Sequence, residues 1–251
     1  MTPNRFPLLR CALACLSLSL AVFVVPQSSS AGPFINLGFE QATVVVNDPI
    51  YGLLDWNLAL PGWSPPSGQP DSSSVFYGIG HLGLSQYIML TDGSANQFGG
   101  TKPQPLSGEY SLVIRGSLEP EYGAASVLQT GDIPASAKAI ELLVRGDQPE
   151  IYLGETQIPL AVVDVNGSIA RYAGNISAYA GTTSQLRISY PAGYPLPDDE
   201  FGGNYQTFSG TIDNIQFTTR IIPEPTALML AALGTVGWFA AWRRSRRRLR
   251  G

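Results

Sequence analysis

Short apolar or alternating runs, separated by Gly, Pro, Asn and Asp, fill the chain between residues 32 and 222. Such runs are typical of β-strands, and no stretch in this region has the 3.6-residue apolar period of a long helix. In Ile140–Val144 and Gln185–Ser189 the alternation indicates one buried and one solvated face. The predicted strands are Phe34–Phe39, Thr43–Val46, Val75–Tyr77, Gln86–Thr91, Tyr110–Arg115, Ala125–Thr130, Ala139–Arg145, Glu150–Leu153, Gln157–Val163, Leu186–Tyr190 and Thr211–Thr218.

Many short strands with turn residues between them predict an all-β domain over residues 32–219, of the two-sheet jelly-roll sandwich type. The length of this region is sufficient for a sizeable core. Residues 190–207 are rich in Pro and Gly, and they are predicted to form a long loop. We expect an N-terminal signal helix before this domain and a single transmembrane helix after it.

The first apolar run predicts a signal peptide over residues 1–31. Arg5 and Arg10 precede the uncharged segment Cys11–Val25. Ser29 and Ala31 then occupy the small-residue positions of a cleavage site, which places cleavage after Ala31. A retained N-terminal membrane helix is the alternative, and the shortness of the run argues against it.

The cysteines of the chain also bear on this segment. Cys11 and Cys15 are the two cysteines, and both lie in the removable run. The mature chain would therefore have no disulfide, zinc–thiolate site or thiol nucleophile. A lipid anchor at Cys15 is a further alternative, but the residues before it fit such a site poorly.

A second uncharged apolar run, Thr226–Trp242, lies between Pro223-Glu224-Pro225 and a cluster of arginines. Its length is at the lower limit for a membrane-spanning helix. The arginines should stay on the cytoplasmic side, which places the β domain outside. A buried core helix is the alternative, but such a helix needs neither an uncharged circumference nor a block of cations. The predicted anchor arginines are Arg243, Arg244, Arg246, Arg247 and Arg248.

These three parts together resemble the PEP-CTERM sorting domain. The resemblance covers residues 222–251, and the sorting signal is assigned to residues 220–251. The resemblance implies that an exosortase, an integral-membrane cysteine protease-like enzyme, processes the chain near Pro223, Glu224 and Pro225. It also implies export through the inner membrane, with a cytoplasmic C-terminus before processing and a cell-surface or extracellular location afterwards. The two prolines agree with this role, because they keep the segment extended.

Charge narrows the range of partners for the region 32–222. Seven basic and eighteen acidic residues give it a net charge of −11. An acidic domain repels nucleic acid, so we exclude that partner. Calcium or a basic surface would be attracted instead.

Several short strings resemble exported jelly-roll domains with a galactose-binding-like fold. They spread over most of the region, although each is weak alone, and the fold by itself does not set a function. The strings are Asn36–Glu40, Leu60–Trp63, Gly108–Leu112, Gln129–Pro134, Asn175–Gly181 and Ile212–Phe217.

This resemblance implies a calcium site. In related sandwiches the first and last strands meet at an edge that often holds a structural calcium, and the matching positions are Glu40 and Asp213. Calcium takes six to eight hard oxygen ligands, several of them from carboxylates. The alternative is two surface acids, or an Asp213 that caps a turn. The acidic run Asp198–Glu200 lacks the spacing of a calcium loop and is interpreted as a solvated loop.

Aromatic residues offer a candidate sugar site. Carbohydrate modules stack sugar rings on exposed aromatic faces, and Trp56 and Trp63 flank the Leu60-Pro61-Gly62 turn. Core packing at the end of the sandwich explains both tryptophans equally simply. An extracellular polysaccharide is the ligand class that such a platform would take.

Catalytic motifs are sparse. His81 is the single histidine, and no Gly-x-Ser-x-Gly or His-Glu-x-x-His sequence accompanies it. Gly78–Gly83 matches the dinucleotide fingerprint formally, but a predicted strand follows it where a helix should open. A carboxylate pair for glycoside hydrolysis stays open as an alternative, since eighteen acids allow many pairs.

The sequence therefore predicts a non-catalytic, exported protein of the bacterial cell surface or extracellular matrix, sorted by its C-terminal signal. A carbohydrate-binding module with a structural calcium is the first alternative. A glycan hydrolase is the second.

Overall fold

The computed structural model describes residues 31–48, 50–66, 74–77, 85–94, 103–118, 120, 123–196 and 205–222. Strands dominate this part of the chain, with a helical turn α1 (Trp56–Ala59) and a 3₁₀ turn at Ser177–Tyr179. The strands are β1 (Val46–Asp48), β2 (Leu53–Asp55), β3 (Ser74–Tyr77), β4 (Tyr87–Thr91), β5 (Ser111–Arg115), β6 (Ala125–Asp132), β7 (Ala139–Gly146), β8 (Glu150–Leu153), β9 (Thr156–Ile158), β10 (Leu160–Asn166), β11 (Ile169–Asn175), β12 (Thr183–Tyr190), β13 (Tyr194–Pro195), β14 (Tyr205–Gln206) and β15 (Ser209–Thr218). The prediction of an all-β fold is confirmed.

Two sheets and a small ribbon contain these strands. The larger sheet has nine strands in the order β1-β2-β3-β4-β5-β15-β7-β11-β10, and the smaller has four in the order β6-β12-β8-β9. Strands β13 and β14 form the ribbon. Neighbouring strands pair antiparallel, except that β3 and β4 are parallel. The last strand, β15, therefore lies in the middle of the larger sheet, between β5 and β7.

One hydrophobic core joins the two sheets. Leu112, Ile140 and Leu142 of the larger sheet are fully buried together with Val127 and Ile188 of the smaller one. Ile140, Leu142 and Val144 of β7 and Leu186 and Ile188 of β12 are alternate residues that belong to this core, as the pattern predicted. Burying one such side chain contributes about 1.5–3 kcal/mol. The core therefore fixes the register of the central strands.

Some predicted strands were wrong. Phe34–Phe39 is a loop, because Asn36 and Phe39 have φ angles of 51° and 61° that no strand can accommodate. Of the predicted strand Thr43–Val46, Val46 alone belongs to β1. The run Gln157–Val163 contains two strands, β9 and β10, with Pro159 between them. Strands β2 and β11 were not predicted, and the two-residue strands β13 and β14 lie within residues 190–207, which were predicted to form a loop.

The two apolar ends of the chain lie outside the described residues. This applies to the predicted signal peptide and to the predicted transmembrane helix 226–242. In the part that is described, none of the helices combines the length and apolar character that crossing a bilayer requires.

Candidate functional site

The two predicted calcium ligands are positioned by elements from opposite ends of the described chain. Glu40 belongs to a tight turn after Asn36, whose side-chain oxygen accepts a hydrogen bond from the backbone N–H of Gln41 at 3.0 Å. Asp213 lies in β15, at the point where the register with β7 shifts. The backbone N–H of Ile215 donates to the carbonyl of Leu37 at 3.1 Å, which ties the turn to this strand.

Asp213 is 1% exposed and accepts three hydrogen bonds. Its Oδ2 accepts from the hydroxyl of Ser111 at 2.6 Å and from the backbone N–H of Ser107 at 2.9 Å. Its Oδ1 accepts from the backbone N–H of Asn214 at 2.5 Å. A carboxylate offers about four lone-pair positions, so these donors leave room for one more contact.

Glu40 reaches the loop that precedes β5. Both of its carboxylate oxygens accept from the backbone N–H of Glu109, at 3.1 and 3.0 Å. Gly108 stands beside it with a φ of 62°, and a Cβ added there would overlap Glu40 Oε1. Glycine at this position is therefore required both by the backbone conformation and by the carboxylate.

The side chains of Glu40 and Asp213 both approach Gly38. A Cβ built on this glycine would be 3.9 Å from Asp213 Oδ1 and 3.9 Å from the Cγ of Glu40. Burial raises the pKa of Asp213 to about 6, the hydrogen bonds from Ser111 and from two backbone amides oppose this rise, and the negative charge of Glu40 adds to it. No basic side chain among the described residues forms an ion pair with either carboxylate.

An uncompensated pair of carboxylates, one of them buried, is an arrangement that a cation would stabilise. The oxygen donors are of the hard type that calcium prefers. No group of three or more Asp, Glu, His or Cys residues gathers in the part of the chain that is described. A calcium ion here would therefore take its remaining ligands from backbone carbonyls, hydroxyls or water.

The two candidate sugar-stacking tryptophans are in the core. Trp56 is 5% exposed and Trp63 is 3% exposed. The indole N–H of Trp56 donates to the carbonyl of Trp63 at 2.7 Å, and that of Trp63 donates to the carbonyl of Asn36 at 3.1 Å. Neither ring presents a face to solvent, so they do not form an exposed stacking platform. Their role in this fold is to hold the turn that carries Glu40.

A polar and aromatic cluster on the outer face of the smaller sheet was not predicted. Tyr152 of β8 and Arg187 of β12 are cross-strand partners, and the guanidinium carbon lies 3.9 Å from the centre of the ring. The hydroxyl of Tyr152 donates to Glu150 at 3.0 Å. Alternation in the sequence indicated the outward direction of Arg187, but pairing with Tyr152 depends on strand order, which no local pattern reveals.

Other candidate residues lie outside the described part of the chain. These are Pro223, Glu224 and Pro225, the five anchor arginines, His81 and the acidic run at 198–200. The roles assigned to them stay predictions.

The sorting signal matches a known family. Residues 222–247 match the family described as the PEP-CTERM protein-sorting motif. This confirms the recognition of the tail, and it supports processing by an exosortase, a membrane enzyme. The motif indicates export and a C-terminal membrane anchor. The comparison with curated proteins found no match.

Solved structures of cyclases show a distant likeness. The Stig cyclase Fisc from Fischerella sp. TAU, in complex with (3Z)-3-(1-methyl-2-pyrrolidinylidene)-3H-indole, is 13% identical with a TM-score of 0.41, and the match covers 73% of this chain and 93% of that one. A cyclase from the same organism, in complex with 4-(1H-indol-3-yl)butan-2-one, is 16% identical with a TM-score of 0.40, covering 77% and 98%.

These matches correct one expectation. The sequence predicted a protein that is not an enzyme, whereas the matched cyclases are enzymes, so the exclusion of catalysis is withdrawn. At this level of identity and structural overlap the likeness assigns no reaction and no ligand to this chain.

Proposed function

We propose that this chain is an exported protein whose C-terminal signal delivers an all-β ectodomain to the cell surface or the extracellular matrix after processing by an exosortase. The match of residues 222–247 to the sorting motif carries this proposal. The uncharged run at 226–242 and the arginines after it supply the two physical properties that such a signal needs, namely insertion into the bilayer and a fixed orientation.

Deleting residues 223–251 tests the sorting role. The intact chain should first accompany the membrane fraction and then reach the surface, whereas the truncated ectodomain should be released without passing through the membrane-bound form. A second variant, with Pro223→Ala and Pro225→Ala, keeps the anchor and should accumulate unprocessed in the membrane. Cell fractionation and mass spectrometry of the C-terminus measure both effects. Unchanged localisation and processing in both variants would contradict the proposal.

The ectodomain is, in this proposal, a jelly-roll sandwich with a galactose-binding-like fold. Two mainly antiparallel sheets that share one core support this assignment. The hydrogen bond from Ile215 to Leu37 and the contact between the rings of Phe34 and Phe217 join β15 to the beginning of the described chain.

A structural calcium ion bound by Glu40 and Asp213 is part of the same proposal. The supporting observation is that a buried carboxylate and a second carboxylate approach one backbone position with no described cation beside them. Bound calcium would favour the ionised form of both groups. It would also connect the turn at 37–41, the loop before β5 and the strand β15.

Thermal unfolding with and without calcium tests this site. A ligand present at a hundred times its dissociation constant stabilises by about 2.7 kcal/mol, so the unfolding temperature should rise with calcium and not with magnesium at equal ionic strength. Asp213→Asn and Glu40→Gln should each lose the rise. Asp55→Asn is the control, because Asp55 is another acid of the domain whose side chain accepts hydrogen bonds from the backbone N–H groups of Asn57 and Leu58 in α1. An equal rise in all variants would overturn the assignment.

A further inference from the structure

The beginning and the end of the described chain meet at one end of the sandwich. Pro33 bridges to Asp132 at the end of β6, and the rings of Phe34 and Phe217 are 5.0 Å apart. The loops that follow β6 and β11 join them there through hydrogen bonds between Ile133 and residues 181 and 182. We name this surface the exit end and define it as residues 32–36, 133–138, 176–182 and 218–222.

The chain leaves the exit end from a fixed point. Ile222 is 7% exposed and packs against Ala139 of β7 and Ala173 of β11, with Val163 beside them. Since Thr218 pairs with Ala139, residues 219–222 cross the outer face of the sheet from β15 toward β10. Ile222 is also the first residue of the matched sorting motif. The motif therefore begins on the folded sheet and not after a free linker.

The spacing from Ile222 to the apolar segment is short. Four residue steps separate Ile222 from Thr226, which reach at most about 14 Å when fully extended. The headgroup layer of one leaflet takes about 5–8 Å of that length. While Ile222 stays packed and the segment from Thr226 lies in the bilayer, Ile222 must therefore lie within about 10 Å of the headgroups, which brings the adjoining exit end close to them. The predicted signal peptide, which ends at Ala31, would hold the beginning of the exit end near the same membrane before its removal.

The exit end differs in character from the rest of this acidic domain. Lys138 and Arg220 are exposed there, and they are two of the seven basic residues in the region 32–222. Ile35 is 44% exposed and Ile221 is 78% exposed. Exposed apolar side chains together with cations are the combination that favours a membrane interface. Two acids adjoin this surface: Asp132 accepts a hydrogen bond from Thr183, and Glu141 accepts one from Thr218.

We propose that the exit end is a docking surface for the anionic lipid headgroups of the membrane that holds the sorting segment. This inference rests on the proposed function, since it needs residues 226–242 to enter the bilayer. The packed Ile222 sets the height, the cations Lys138 and Arg220 supply the attraction, and the sandwich stands upright on the membrane. The Pro223–Pro225 motif is then held at headgroup depth, where an integral-membrane processing enzyme works.

Fluorescence quenching in vesicles tests this proposal on residues 32–251, the chain without its predicted signal peptide, which contains no cysteine. Ser136 at the exit end and Ser168 in the β10–β11 turn are both exposed, so Ser136→Cys and Ser168→Cys are a matched pair for a thiol-reactive fluorophore. The seven residues of β11 separate the two positions, about 23 Å along the strand. The quencher is a nitroxide on the lipid headgroup, in phosphatidylcholine vesicles with and without phosphatidylglycerol.

We expect strong quenching at position 136 and little at position 168, with a larger difference in the anionic vesicles. Lys138→Gln and Arg220→Gln should each lower the docked-to-free ratio about fivefold in anionic vesicles and leave it unchanged in neutral ones. A flexible Gly-Ser insertion between Ile222 and Pro223 keeps the anchor and removes the height constraint, so it should reduce quenching at 136 to the level at 168 in neutral vesicles and leave part of it in anionic ones.

Equal, weak quenching at both positions in a chain that floats with the vesicles would overturn the docking surface while leaving the anchor intact. Quenching at 136 that falls to the level at 168 in the anionic vesicles as well would also overturn it, because the tether alone would then account for the signal. A chain that does not float with the vesicles would contradict the anchor itself, and therefore the proposed function.

Discussion

At the scale of single residues, Asp213 is the group whose ionisation matters most for the fold. Burial raises its pKa from an ordinary value of 3.8 to about 6, with the charge of Glu40 adding to the rise. Between these two pH values the folded protein binds this proton more tightly than the unfolded chain does. The group therefore contributes stability that is fully present below pH 3.8 and is lost as the pH rises through about 6.

A comparison of the protein with its Asp213→Asn variant measures this contribution. In a calcium-free buffer the free energy of unfolding of the parent should fall, relative to the variant, by on the order of 1–3 kcal/mol between pH 4 and pH 7. Calcium should abolish the fall, because a cation favours the ionised form. Urea unfolding of both proteins at a series of pH values measures this difference in the free energy of unfolding. If the free energies of the two proteins changed in parallel with pH, the assigned contribution of Asp213 would be disproved.

Gly108 leaves room for the carboxylate of Glu40. The effect of an alanine at this position can be compared with that of an alanine at Gly167, which has nearly the same backbone conformation. Gly108 and Gly167 have φ angles of 62° and 60°, but nothing lies within 4 Å of a Cβ built on Gly167. Gly167→Ala should cost about 1–2 kcal/mol for the left-handed conformation alone. Gly108→Ala should cost more, and it should also weaken the calcium-dependent stabilisation, because the new methyl group displaces Glu40. Equal losses of stability and an unchanged calcium response would refute this.

At the scale of elements, the loop at 34–42 takes its shape from β6 and not from strand pairing along its length. Gln129 of β6 accepts from the N–H of Ile35 at 2.7 Å and donates to the carbonyl of Ile35 at 3.0 Å. Its side chain is buried, so truncation leaves two backbone groups without their partner. A buried polar group left unsatisfied costs about 1–3 kcal/mol.

Gln129→Ala should therefore lower the free energy of unfolding by about 2–4 kcal/mol. Thr130→Ala, one position along the same strand but exposed, is the control and should change it by less than about 0.5 kcal/mol. Chemical denaturation of both variants measures the difference. If Gln129→Ala were as mild as the control, the loop would have to be held by contacts other than this side chain.

The alternation of apolar and polar residues predicted most of the central strands. It failed where backbone conformation or neighbouring strands, and not hydrophobicity, decide the structure. Phe34–Phe39 has apolar residues in the proportion of a strand, yet its turn depends on positive φ angles at Asn36 and Phe39, neither of which is glycine. In β11 the buried residues are Ala173 and Gly174, which give almost no hydrophobic signal. Whether a segment with so weak a hydrophobic signal forms a strand depends on its neighbours in the sheet. A local sequence pattern contains no information about those neighbours.

Only part of the carboxylate site formed by Glu40 and Asp213 could be predicted from the sequence. Glu40 and Asp213 were found through resemblance to known sandwiches, since no spacing rule connects residues so far apart in the chain. The supporting donors Ser107 and Ser111 were not predicted, because their role follows from the pairing of β5 with β15. The membrane-facing cations gave no signal either, as Lys138 and Arg220 come together only when β15 returns beside β7.

At the scale of the whole molecule, charge is distributed unevenly over the surface: the domain as a whole is acidic, whereas the exit end carries two cations. Eighteen acids against seven bases keep the exported region soluble and repel it from anionic surfaces in general. Docking to a membrane therefore requires that the few cations be concentrated where the chain enters the bilayer, and two of the seven lie there. The net charge thus gives the docked ectodomain a preferred orientation as well as solubility.

The same net charge predicts how salt and calcium act separately on stability. Raising sodium chloride from about 0.01 M to about 0.15 M shortens the Debye length from about 30 to about 8 Å, which relieves repulsion among the acids. The free energy of unfolding at pH 7 should rise to the same extent in the parent and in Asp213→Asn, since screening needs no specific site. Calcium added at matched ionic strength should raise it further in the parent alone. If calcium stabilised both proteins equally, it would act by screening the surface, and Glu40 and Asp213 would be ordinary members of an acidic face.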